Sequence, residues 1–413
     1  MQEVFHRLAS RPSPAGFALP RAARLACLAL VLAAPGLRAQ APVAGPFPPP
    51  NQAPRGARYA GSQACVACHT RQASERSTPM GHALEPAAGC DILRRHPHLS
   101  FHSKPYSYRI VRQGDSSLYT VTDGHATFSE PILWAFGLGK AGQTYVFQHN
   151  GSYYESRVSF FNDTQSLDFT LGVSPSTPPS LDEAAGRIIT PNETHLCFGC
   201  HSTGGVTGER LELDHLVPGV TCEACHGPGA EHVAALQSGK PGGPHIFNPS
   251  QLNSWDLADF CGSCHRSWMQ VEVMNLKTIA NVRFQPYRLA LSKCFDAEDR
   301  RISCLACHDP HQNLNQDLAS YDAKCLACHR ASSAPAANAP APAETAASQP
   351  SDHRESDAPA GQLQAQPPFA PACKAEKRLC VTCHMPRYSL PGAHFKFTDH
   401  RIRIVHPTQP YPG

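Results

Sequence analysis

Seven copies of one five-residue spacing, Cys-x-x-Cys-His, run along this 413-residue chain and take fourteen of its 18 cysteines. They are Cys65/Cys68/His69, Cys197/Cys200/His201, Cys222/Cys225/His226, Cys261/Cys264/His265, Cys304/Cys307/His308, Cys325/Cys328/His329 and Cys380/Cys383/His384, numbered signatures 1 to 7 below. At this Cys and His content, random order would yield about 0.04 copies. Two thiols three residues apart on a helical turn point the same way, so they can add to the two vinyl groups of one haem. The histidine after the second cysteine then stands where its imidazole reaches the iron. A structural zinc site needs two cysteine pairs and gives no reason for a histidine after each pair. A redox dithiol predicts one such motif in a thioredoxin-like setting, not seven. The spacing therefore predicts seven covalent haem c groups.

The N-terminus supplies an address. Arg21 and Arg24 precede the apolar stretch Leu25–Ala34, and Ala39 ends the small-residue segment after it. This pattern predicts a secretory signal over 1–39, cut after Ala39 and leaving a periplasmic or extracellular protein. Ten apolar residues are too few to span a bilayer, so a membrane anchor is the weaker reading, and no later segment is apolar enough. The whole chain carries +3, and residues 1–39 hold five Arg and one Glu, so the remainder stands at −1. A near-neutral chain with no basic run is a poor nucleic-acid binder. About 370 mature residues shared among seven haems leaves about 53 per macrocycle, so the haems themselves would fill much of the interior.

The rest of the chain divides by composition. Residues 40–58 form a Pro-rich linker, and 59–100 an N-terminal haem segment. A β-rich insert follows over 101–190, its strands within about 101–175, where Tyr106–Val111, Leu118–Thr122 and Thr144–Gln148 are aromatic and β-branched. Asn150-Gly151 signals a hairpin there. Residues 191–330 form a five-haem core, 331–372 a disordered Ala/Pro/Ser loop, and 373–413 a C-terminal haem segment. The expected fold is thus a mostly irregular and α multihaem core of short helices, with a small inserted antiparallel β-unit. Gly137-x-Gly139-x-x-Gly142 matches a dinucleotide fingerprint but lacks a βαβ setting, so it reads as a turn. Cys90, Cys294 and Cys373 stand outside the signatures and allow one disulfide and one free thiol, with Cys294–Cys373 the favoured pair.

The sixth iron ligand separates a carrier from an enzyme, because a haem with two strong axial ligands shuttles electrons and one with an open position can bind a small molecule. Sixteen histidines lie outside the signatures. Setting aside His6 in the signal and His353 in the loop leaves fourteen for seven positions, so bis-His ligation throughout is feasible. His82, His232, His311 and His400 are the leading candidates. His195, His215 and His394 follow. His96, His98, His102, His125 and His149 belong to or border the β-unit and read as structural or exposed.

The signatures together with CHTRQASERSTPMGHA, CEACHGPGAEH, CHDPH and CHMPR…FTDHRI resemble the multihaem c-type cytochromes related to the electron carrier of hydroxylamine oxidation and to pentahaem nitrite reductases. The resemblance covers roughly 59–100, 191–330 and 373–405. It implies that His82, His232 and His311 each ligate a haem other than that of their own motif, and that the haems stack in close pairs. The Cys-x-x-Cys-Lys motif of the nitrite reductases is missing from this chain. The expected function is an exported heptahaem electron carrier working between redox proteins, without substrate chemistry of its own. The alternatives are an oxidoreductase turning over a small nitrogen or sulfur compound at one open haem, and a subunit of an extracellular cytochrome filament.

Overall fold

Apolar and polar residues alternate from residue 98 onward with the period of two that a half-buried strand requires. Tyr106, Tyr108 and Ile110 alternate inward along one strand, and Tyr119 and Val121 along the next. The computed structural model describes residues 56–208, 210–239, 246–329, 377–406 and 411. Its largest element is a nine-stranded antiparallel sheet. The strands are β1 (Leu84–Pro86), β2 (His98–Ser103), β3 (Tyr106–Gln113), β4 (Ser116–Thr122), β5 (Thr127–Phe136), β6 (Gln143–His149), β7 (Ser152–Phe161), β8 (Ser166–Phe169) and β9 (Gly186–Ile188). They run in the order β2 to β8, with β1 on β5 and β9 on β7.

The sheet curls because β5 is bent. Pro131 lies within it, and its pairing with β6 shifts register between Ile132 and Trp134, a bulge that increases local twist. Its first half pairs with β4 and its second half with β1 and β6. The curl brings the ends of the path together: Phe101 of β2 meets Phe169 of β8 edge to face, with ring centroids 5.1 Å apart. Inside lie Tyr108, Tyr119, Tyr145, Phe147, Val158 and Phe160, all essentially without solvent contact. The turns follow local chemistry. Asn150 (φ 49°) and Gly151 (φ 78°) make the left-handed two-residue link between β6 and β7. Gly137, Gly139 and Gly142, all at positive φ, make the link from β5 to β6, with no helix after them.

This corrects the expected fold class. The β-rich part is no small insert in an irregular, α core. It spans Leu84 to Ile188 and holds the main apolar core of the described residues. Macrocycles were expected to fill much of the interior, with only a small β-unit beside them. The 127 residues between His69 and Cys197 instead bury enough of their own aromatic and β-branched side chains, each worth about 1.5–3 kcal/mol, to close a core without a cofactor.

Outside the sheet the described chain runs mainly in short α-helices, from four residues at Cys304–Cys307 to twelve at Ser254–His265. A hairpin of Arg387–Ser389 and Lys396–Thr398 follows signature 7. Among the described residues no helix is long and apolar enough to cross a membrane. The signal at 1–39, most of the linker, the loop at 331–372 and Cys373 lie outside the described residues.

Candidate functional site

Each signature sits on, or at the end of, a short helix. Signature 1 begins inside Ser62–Val66 and runs past its end, signatures 2 and 4 end Pro191–His201 and Ser254–His265, and signature 6 begins inside Asp322–Leu326 and runs past its end. Signatures 3, 5 and 7 coincide with Cys222–His226, Cys304–Cys307 and Cys380–His384. One helical turn sets the spacing: the His69, His308 and His329 amides donate to the carbonyls of Cys65, Cys304 and Cys325 at 2.8, 2.9 and 3.0 Å. Local capping fixes where the turns begin. Thr190 and Glu193 form a reciprocal capping box with Pro191 in the first turn, Asn253 accepts from the Asp256 amide, and Ser303 from the Ala306 amide.

Three signature histidines face a second imidazole from a distant part of the chain. His69 lies opposite His232 with ring centroids 6.4 Å apart, His226 opposite His311 at 6.2 Å, and His308 opposite His400 at 6.2 Å. Several of these rings have Nδ1 engaged. His226 Nδ1 meets the Phe247 carbonyl at 2.9 Å, His311 Nδ1 the Asp309 carboxylate at 3.1 Å, and His400 Nδ1 the Thr398 carbonyl at 3.1 Å. His201 and His384 do the same with the carbonyls of Ala83 and Arg403, both at 2.9 Å. An Nδ1–H donated to a carbonyl or carboxylate selects the tautomer whose Nε2 lone pair is free for a metal. Two such nitrogens on one metal, each about 2 Å from it and about 1.1 Å from its own ring centre, put the centroids about 6.2 Å apart. Burial favours the neutral, ligating form of four of the rings: desolvation lowers His201, His226 and His308, and desolvation with nearby His308 lowers His400 to about 4. His265 keeps exposed surface although protein surrounds it, and desolvation, then His201, lowers it too.

The signatures also adjoin one another. The helices of signatures 1 and 3, 2 and 4, 4 and 5, and 6 and 7 pack in pairs. Thiol contacts follow the same pairing: Cys65 meets Cys222, Cys200 meets Cys264, Cys261 meets Cys304, and Cys325 meets Cys380. Cys225 feels Cys264, and Cys307 feels Cys325, which joins the pairs into one connected series with signature 2 as a side branch at signature 4. Desolvation first, then Cys222, pushes the Cys65 thiol up to about 11. The donor set, paired thiols with an adjacent imidazole in every copy, fits covalent haem, and the second imidazoles fit its sixth position.

Three of the fourteen expected attachment thiols, Cys68, Cys307 and Cys383, are exposed, and the other eleven are half-buried. The chain leaves its helix at Val66 ahead of Cys68 and at Leu326 ahead of Cys328, so neither thiol is carried into a helix contact. Cys328 lies beside Cys294, outside the signatures, as well as Cys325 of its own signature. Cys383 Sγ contacts the neighbouring Thr382 hydroxyl at 3.8 Å. In signatures 1, 6 and 7 it is the first cysteine that meets another signature.

Residues 176–227 match the family model for cytochrome c554 and c-prime. No curated protein and no solved structure matches the chain. The matched stretch holds signatures 2 and 3 together with the Thr190 cap, and it supports a c-type cytochrome with covalent haem and a haem-based electron-transfer role.

The other sequence candidates are placed differently. His82 Nδ1 meets Glu85 at 2.9 Å, and His394 uses Nε2, the nitrogen a ligand would need, on Asp168 at 2.8 Å while its ring packs on Phe161. His195 is half-buried on the signature 2 helix, and His215 is exposed. None of these four makes ring contact with a signature histidine among the described residues. Cys90 is buried in the sheet core, its thiol donating to Gln143 Oε1 at 3.3 Å.

Sequence reasoning missed three carboxylates that join signatures. Glu223, inside signature 3 and 3 % exposed, accepts from the amides of Ala60, Gly61 and Gly229 at 2.7, 2.8 and 2.7 Å. It thereby ties the start of the signature 1 helix to the helix Ala230–Gln237 that carries His232. Asp322, at the start of the signature 6 helix, caps signature 7 by accepting from the Leu379 and Cys380 amides at 2.7 and 2.8 Å. Asp399 precedes His400 and is fully buried. An acidic residue between the two cysteines of a signature was the only visible hint, and it applies to Glu223 alone.

Proposed function

We propose that this chain is an exported cytochrome c carrying seven covalent haems, which passes electrons between redox proteins through closely packed, largely bis-His irons. The observation that carries the reading is the set of three opposed imidazole pairs, His69/His232, His226/His311 and His308/His400, each at the separation a single iron calls for. Each pair joins a signature to a histidine from beyond a different signature, so ligation at one iron ties together segments that hold others. When bound, the haems supply the one-electron ferric/ferrous couple. The protein's part is to hold the macrocycles near one another and to tune each potential through the acceptor on the proximal Nδ1–H. The signal reading of 1–39 and the run of signatures support a periplasmic location.

The test is maturation in a host able to attach c-type haem. A pyridine haemochrome assay and intact mass should give seven porphyrins per chain, and ferric EPR should be dominated by low-spin signals. Fewer porphyrins would overturn the heptahaem reading. A strong high-spin signal that shifts on adding nitrite or hydroxylamine would move the assignment to a substrate-transforming enzyme, and micrometre-long assemblies in micrographs to a filament subunit.

A further inference from the structure

Arg288 and Asp399 form an ion pair with both side chains wholly out of water: Nε donates to Oδ1 at 2.8 Å and Nη2 to Oδ2 at 2.9 Å. A buried pair roughly breaks even against apolar replacements of the same shape, so what it holds in place matters more than its net stabilisation. Everything around it converges on one stretch of chain. Asp399 Oδ1 also accepts from the Arg401 amide at 3.0 Å, and Oδ2 from Arg403 Nη1. The Tyr411 ring lies 4.7 Å from the Arg288 guanidinium, and Asn281 Oδ1 accepts from Arg288 Nη1 at 3.4 Å. Two residues beyond the helix Gln285–Ala290, Ser292 Oγ accepts from the Ile402 amide at 2.8 Å and donates to the His400 carbonyl at 3.4 Å. Residues 399–403 are therefore pinned along their length to the segment that holds Arg288.

That pinned stretch serves two signatures. His400, adjacent to Asp399, faces His308 of signature 5 at 6.2 Å. The carbonyl of Arg403 accepts from His384 Nδ1 of signature 7 at 2.9 Å. We propose that the Arg288–Asp399 pair is a positioning device acting on two haem irons at once: it seats the sixth ligand of the signature 5 iron and the carbonyl that orients the proximal imidazole of signature 7. The proposal rests on the haem reading above. Arg288 and Asp399 touch neither iron; they act through His400 and Arg403.

The experiment compares the matured full chain with D399N, R288K and the double variant R288M/D399L, which removes both charges and keeps the volume apolar. Haem count by haemochrome and mass comes first, since fewer than seven in the parent protein overturns the underlying reading and not the device. With seven retained, the expected result is one iron in seven converted from low-spin to high-spin in EPR, and two of the seven transitions displaced in a spectroelectrochemical titration. D399E, which keeps the charge, should restore much of the low-spin signal. Seven haems with spin states and potentials unchanged in the double variant would overturn the proposal, because a merely structural pair predicts that outcome. Failure of all three variants to yield holoprotein would overturn it as well, by making the pair a requirement for folding at large.

Discussion

The imidazoles of His226 and His311 lie with their planes 12° apart and their centroids 6.2 Å apart, although 84 residues lie between them in the chain. Both rings have Nδ1 committed, His226 to the Phe247 carbonyl and His311 to Asp309, so both present Nε2. His311 is further placed by its carbonyl, which accepts from Ser74 Oγ at 2.8 Å, a contact reaching into the segment after signature 1. Replacing His311 with Ala removes one imidazole and leaves the thioether attachment intact. The expected outcome is seven haems by mass, one new high-spin ferric signal, and binding of cyanide at that iron. Replacing His394, whose Nε2 is spent on Asp168, should leave the spin-state distribution unchanged. The contrast between the two variants is readable by EPR in a single preparation of each.

Glu223 should be the most sensitive carboxylate around signatures 1 and 3. Its two oxygens accept three backbone N–H groups from segments on either side of the His69/His232 pair. Leaving a buried donor without an acceptor costs about 1–3 kcal/mol. Glu223→Ala strands three, so a loss of at least about 2 kcal/mol is expected. Glu223→Gln should be milder, since one oxygen survives to accept from Ala60 and Gly229. Denaturant midpoints should rank the parent above E223Q and E223Q above E223A. An unchanged midpoint for E223A would contradict the role assigned to it.

What could be read in the sequence follows how local each signal is. The signatures, the Asn150-Gly151 turn and the apolar alternation of β3 and β4 are complete within a few residues, and all are visible before folding. The extent of the sheet was not visible, because β1 and β9 are three-residue strands whose only strand character is their pairing with β5 and β7. The partners of the signature histidines are likewise matters of long-range placement. His400 and His394 share one short stretch of sequence, yet one faces His308 and the other packs against β7 and β8. Nor does the repeated spacing tell Cys68 from Cys225: the first is exposed, while the second lies within reach of the Cys264 thiol. The carboxylates Asp322 and Asp399 were missed for the same reason: each acts on a segment more than fifty residues away.

The sheet should stand apart energetically from cofactor attachment. Phe147 is fully buried between Tyr119, Phe128 and Tyr154, with ring centroids 5.4 to 5.6 Å away. Phe147→Ala should cost about 3–5 kcal/mol through lost burial and the cavity left behind. The ferric and ferrous visible spectra of the matured protein should not change, since the rings around Phe147 belong to the sheet and not to a signature. A spectrum altered in step with the lost stability would show that the sheet and the haem-bearing segments do not behave as separable parts.

The capping box ahead of signature 2 gives a pH dependence of definite sign. The Thr190 amide, and then the Arg187 guanidinium, hold the Glu193 carboxyl below its usual range. A carboxylate lowered in the folded state contributes stability that is present above its unfolded value and lost as pH falls through the folded one. The side chain is 38 % exposed, so solvent screening keeps this contribution small. Glu193→Gln retains an acceptor for the Thr190 amide but loses the charge, so its deficit against the parent should be full at neutral pH, begin to shrink below about pH 4.5 and vanish only below the lower folded value. Thr190→Ala removes the side-chain acceptor for the Glu193 amide and should cost about 1 kcal/mol over the whole range. Thermal unfolding of the three proteins between pH 3 and pH 8 separates the two contributions. A Glu193→Gln deficit that grew on acidification would reverse the sign argued here.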